Sequence, residues 1–74
     1  MSLERIVYNK GILGGKPVIK GTRISVQLVL NLLSHGMGVE DILKEYPHLT
    51  RDDILACLEY ASIVLENEEV VTTP

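Results

Sequence analysis

Eleven residues, Gly15-Lys16-Pro17-Val18-Ile19-Lys20-Gly21-Thr22-Arg23-Ile24-Ser25, restrict what the rest of the chain can become. Gly14 and Gly15 form a turn, and Pro17-Val18-Ile19 is β-prone. Gly21 can supply positive φ for a second turn, after which Thr22-Arg23-Ile24 returns. Pro17 has no N–H to give to a ladder, so it belongs on a sheet edge or at a strand start. Upstream, Arg5-Ile6-Val7-Tyr8 is a second β-prone run, closed by Asn9, Lys10 and Gly11. The two runs predict a short β-ribbon over residues 5–24 that feeds a helix. The glycines lack both the spacing and the Gly-Lys-Ser/Thr ending of a phosphate-binding loop.

Ser25 suits the N-cap of the first helix, which is expected to run to about His35 and stop at Gly36. Its apolar side is wide. Val26, Val29, Leu30, Leu33 and Met37 form one stripe, and Leu28 and Leu32 a second beside it. Only Gln27, Asn31, Ser34 and His35 are polar. A face this wide points to central burial or to a subunit contact. The second helix carries Val39, Ile42, Leu43 and Tyr46 at helical spacing and ends at Pro47. Thr50 then caps a third helix, with Asp53 in the capping-box position. Ile54, Leu58, Ala61 and Leu65 are expected to line its core side, with fraying near Asn67. Residues 25–66 thus read as a three-helix region and 67–74 as a tail. Pro47 to Thr50 is a connection of helix-turn-helix length, although an ordinary helical hairpin has the same spacing.

Size sharpens the question of assembly. A 74-residue chain buries only about 60–65% of its unfolded surface, so one domain standing alone is marginal. One cysteine, Cys57, excludes an internal disulfide and a cysteine-rich metal site. Phe and Trp are absent, so Leu, Ile and Val must build the core. Burial between subunits is the remaining source of stability, and a homodimer is expected. Glu4 and Arg5 interrupt the N-terminus before an apolar run develops, so no secretory signal is expected. Val26 to Leu33 is too short to span a bilayer. A cytoplasmic protein without membrane contact follows.

Few residues invite chemistry. His35 sits where a helix C-terminus favours a cation, and a surface cap explains it. His48 lies in the Pro47–Thr50 turn without further ligands at metal-binding spacing. Cys57, between Ala56 and Leu58, reads as a small buried hydrophobe. Asp52 and Asp53 are adjacent at a helix start, where they serve the dipole rather than acid–base work. No catalytic residue, metal or cofactor is expected, and the chain is read as a non-enzyme.

The charge distribution is more informative. Residues 1–25 hold five basic groups and one acid, net +4; residues 26–74 hold two basic groups and nine acids, net −7. The two ends therefore suit different partners. As a DNA-reading helix the third helix offers Thr50, Arg51, Asp52 and Asp53, and the two aspartates would face phosphates. The ribbon is better suited. Lys16, Lys20 and Arg23 are its candidate phosphate contacts, with Arg51 from the helix.

The run from Gly15 to Ile24 resembles the signature of domain-of-unknown-function family 433. So does its continuation through Val29-Leu30, Gly36, Ile42, Tyr46-Pro47, Leu49-Thr50, Asp53-Ile54, Ala56 and Leu58 to Tyr60-Ala61. The resemblance covers roughly residues 5–62. It implies a mostly α fold: a three-helix, homeodomain-like helix-turn-helix with a short N-terminal β-ribbon. It also implies an antitoxin-like, DNA-binding role beside a PIN-like nuclease toxin. The charge split fits that role. The basic front would dock on DNA, and the acidic end, Glu66, Glu68 and Glu69 with Val70 and Val71, would cover a basic cleft on the toxin. A small protein-interaction module that binds no nucleic acid is the alternative.

Overall fold

In the computed structural model, which describes residues 3–68, a two-stranded ribbon packs against three helices. A 3₁₀ turn at Leu3–Arg5 leads into β1 (Ile6–Tyr8), and a turn at Leu13–Gly15, with positive φ at all three residues, leads into β2 (Pro17–Ile19). The strands are antiparallel, with Ile6 opposite Ile19, Val7 opposite Val18 and Tyr8 opposite Pro17. Pro17 thus opens its strand, where its missing N–H costs least.

Gly21 has φ +80°. It occupies the third position of a turn in which the Thr22 N–H donates to the Ile19 carbonyl at 3.0 Å. Positive φ there is what a type II turn requires. The Thr22 hydroxyl donates to the same carbonyl at 2.7 Å and accepts the Ile24 N–H at 3.0 Å. Residues 22–24 therefore return as a pinned turn rather than a strand. A lone bridge, Val18 to Ser25, marks where the return touches the ribbon.

The helices are α1 (Val26–Ser34), α2 (Val39–Glu45) and α3 (Arg51–Asn67). Local chemistry sets their ends. The Ser25 hydroxyl accepts the Leu28 N–H at 2.9 Å. Gly36, at φ +94°, turns the chain out of α1. The Asp41 carboxylate accepts the Gly38 N–H at 3.2 Å at the start of α2. The start of α3 is a capping box: Thr50 Oγ1 accepts the Asp53 N–H at 3.2 Å, and Asp53 Oδ2 accepts the Thr50 N–H at 2.9 Å.

Ile19, Ile24, Val26, Val29, Ile42, Leu49, Ile54 and Cys57 form the core, drawn from the ribbon, its turn and all three helices. The core side of α3 differs from the expected stripe. Ile54 is buried with Ala56 and Cys57, whereas Leu58 is 44% and Leu65 64% exposed. Leu58 lies in the covered half of the helix, and its exposure is rotational: Cys57, one residue earlier, takes the inward place. Leu65 is exposed by length: at 1.5 Å per residue, α3 is about 25 Å long and α1 about 14 Å, so the second half of α3 outruns its cover. Among the described residues, no helix is long and apolar enough to cross a membrane.

Asp53 is the one buried charged residue among those described. Besides closing the capping box, its Oδ1 accepts from Arg5 Nη1 at 3.0 Å. Asp52 lies 3.7 Å from the same guanidinium but is mostly exposed. Asp53→Ala removes the acceptor of two donors, so we expect a loss of about 2–3 kcal/mol in urea unfolding. Asp52→Ala should change stability by less than about 1 kcal/mol.

Candidate functional site

The expected phosphate contacts are spread over the ribbon and the start of α3. Lys16 and Lys20 flank the three residues of β2, about 13 Å of extended chain. Lys20 and Arg23 stay together on the Gly21 turn, and both are exposed. Lys20 also borders a hollow of about 280 Å³ with Glu4, Arg5 and Asp53, which places the turn beside the first turn of α3. There Arg51 pairs with Glu40 at 3.2 Å, both side chains more than 60% exposed. An ion pair so exposed contributes little and can exchange partners.

The electrostatics of the α3 start differ from the sequence expectation. Two aspartates were expected to face phosphates. Asp53 instead points inward, held by Thr50 and Arg5, and only Asp52 is displayed, with Arg5 beside it. Lys16, Lys20 and Arg23 form no salt bridge with another described residue.

The isolated reactive groups are accounted for by structure. The His35 ring meets the Asn31 carbonyl through Nδ1 at 2.6 Å, a surface cap at the end of α1. His48 is exposed in the turn before α3. Cys57 is fully buried, and burial, then the Asp53 charge, push its thiol up to about 11. A thiol held protonated is no nucleophile at neutral pH. Among the described residues, no three His, Cys, Asp or Glu side chains gather at metal-binding distance.

Two features escaped the sequence. The first is a contact between β1 and α3, in which the Tyr8 and Tyr60 hydroxyls share a hydrogen bond. Their rings lie 6.3 Å apart and tilted by 57°. That bond, then burial and the Tyr8 charge, raise the Tyr60 phenol above its ordinary pKa. The second is a groove of about 470 Å³ between α1 and the far half of α3. Pro17, Val26, Leu30, Ala61, Val64 and Leu65 line it, with Lys16 also on its wall. The unexplained width of α1's apolar side was its signal, since Leu30 faces this space. Of the expected acidic surface, Glu66 and Glu68 are exposed at the end of α3; Glu69, Val70 and Val71 lie outside the described residues.

Residues 6–61 match the family described as "Protein of unknown function (DUF433)". The chain is 36% identical over 58 residues to the uncharacterized protein y4eO of Sinorhizobium fredii (strain NBRC 101917 / NGR234). That match takes in 78% of this chain but 26% of that protein. A crystal structure of a DUF433 member protein from Anabaena variabilis ATCC 29413 is similar in fold, with a TM-score of 0.78 at 31% identity. The likeness covers 84% of this chain and 61% of that one, so the chain spans less than two thirds of either relative.

The Cys57 thiol gives a pH signature. Its folded pKa of about 11 lies above the ordinary 9.0, so the folded state keeps a proton that the unfolded chain loses first. Stability should be unaffected by this group below pH 9 and fall as pH rises from 9 towards 11, by about 2–3 kcal/mol. Urea unfolding of wild type and Cys57→Ala across that range isolates the effect, which the alanine variant should lack.

Proposed function

The chain belongs to the DUF433 family, and from that premise we propose that it is a non-enzymatic, antitoxin-like regulator that binds DNA as a homodimer. The Gly21 turn supports this most directly. It carries Lys20 and Arg23, and Lys20 borders a hollow with Asp53 at the start of α3, the end that a helix-turn-helix offers to the major groove. Two exposed cations without carboxylate partners among the described residues, next to a helix N-terminus, suit phosphates on either side of a groove. Arg51 joins them by leaving Glu40. Lys16, at the other end of β2, is the outlying member of the set.

Binding of this kind is electrostatic. Three cations per chain, doubled in a dimer, would release about six counterions and give a log–log salt slope near −5. The second partner is a PIN-like nuclease toxin, covered by the acidic end from Glu66 and Glu68 through Glu69, Val70 and Val71. A protein-only interaction module is the second reading. It is favoured by the exposed Leu55, Leu58, Val64 and Leu65 of α3, which suit protein better than DNA.

A gel shift on duplex DNA from the upstream region separates the two. Wild type should shift the duplex in a salt-sensitive manner, and Lys20→Glu with Arg23→Glu should abolish the shift. No shift by wild type at low salt would leave the protein-only reading. For the toxin, the product of the neighbouring gene should co-purify with the full chain and be lost when residues 66–74 are removed. Retention in the truncated complex would refute the acidic end as the contact.

A further inference from the structure

The second half of α3 is built like one side of an interface. Leu65 is 64% exposed at the lip of the groove, and Val64 beside it is 42% exposed. The groove floor, from Pro17, Val26, Leu30 and Ala61, is apolar and open to whatever can lie along α3. We infer that the occupant is a second copy of this chain, with the two α3 helices crossing near Leu65 so that each Leu65 fills the other's groove. This rests on the dimer part of the reading above and says which surface makes it.

Two observations favour a second copy over a foreign partner. A two-fold contact needs one patch that is both knob and hole. Here the protruding Leu65 belongs to the helix that walls the groove, so knob and hole are adjacent on one surface. The charges repeat this logic. Lys16 lines the groove and Glu66 follows Leu65, yet neither takes part in a salt bridge between described residues. About a two-fold axis beside Leu65, each Lys16 meets the partner copy's Glu66, so two opposite pairs flank the apolar centre. This also explains why Lys16 stands apart from Lys20 and Arg23: it serves the contact between copies, and the Gly21 turn remains free for DNA.

Light scattering on the eluting full chain tests the assignment. Wild type should run as a dimer of twice 8.2 kDa. Leu65→Glu should weaken the dimer by at least about tenfold in dissociation constant, because it puts a charge at the centre of the apolar contact. The replaced side chain is mostly solvent-exposed within one chain, so far-UV circular dichroism and cooperative unfolding should be retained. Lys16→Glu should weaken the dimer, and adding Glu66→Lys should restore it, as a coupled pair requires. Leu55→Glu, outside the groove, should leave the dimer intact. A wild-type dimer that survives Leu65→Glu would overturn the groove assignment and leave the dimer reading standing. A Lys16→Glu defect that Glu66→Lys fails to repair would overturn the charge pairing. A wild-type monomer at all concentrations would overturn both the inference and the dimer reading.

Discussion

Asp53 holds the N-terminal ribbon and the third helix in one body. One carboxylate oxygen caps the backbone of Thr50, and the other receives the guanidinium of Arg5, 48 residues earlier in the chain. A ribbon of two three-residue strands is too small to persist alone in water. It is stable here because Ile19 and Ile24 enter the common core and because Arg5 anchors the ribbon's entry to the start of α3. The Lys20 N–H donates to the Arg5 carbonyl at 2.7 Å, so the same residue also fixes where the Gly21 turn begins. The position of the basic turn relative to α3 thus descends from one ion pair and one backbone bond. The ion pair is half sheltered: Arg5 keeps 40% of its side-chain surface in water, which limits the desolvation that a fully buried pair would suffer.

Charge is distributed unevenly along α3. Its first turn carries Asp52 and Asp53 among the cations Arg5, Lys20 and Arg51, while its last turn carries Glu66, with Glu68 at the cap. About 25 Å of helix lies between the two ends. That spacing keeps the paired charges of the first turn electrostatically separate from the acidic end, since it exceeds the screening length of roughly 8–10 Å at physiological salt. Between them lies an apolar stretch that matches neither charged end.

Local motifs were legible in the sequence, and long-range ones were not. Ser25, Gly36, Gly21 and the Thr50/Asp53 box each act within four residues, and each does what its residue type predicts. The core face of α3 was harder. Ile54, Leu58, Ala61 and Leu65 make an acceptable helical stripe, but so do Ile54, Cys57, Ala61 and Val64, centred about 50° round the helix. Periodicity cannot choose between them, because the choice depends on where α1 ends in space. The inward turn of Asp53 was hidden for a similar reason, since its partner Arg5 is remote in sequence.

The contact between Tyr8 and Tyr60 makes the molecule optically self-reporting. The chain has three tyrosines and no Trp or Phe, so its near-ultraviolet signal comes from tyrosine alone. Two of the three chromophores meet across the joint between β1 and α3, with their rings tilted against each other. Asymmetric ring environments of this kind exist only while the ribbon is seated. Far-ultraviolet circular dichroism, by contrast, is dominated by the helices. Wavelength alone therefore distinguishes a ribbon lifting from its helix from a helix unwinding, without a dye or an added label.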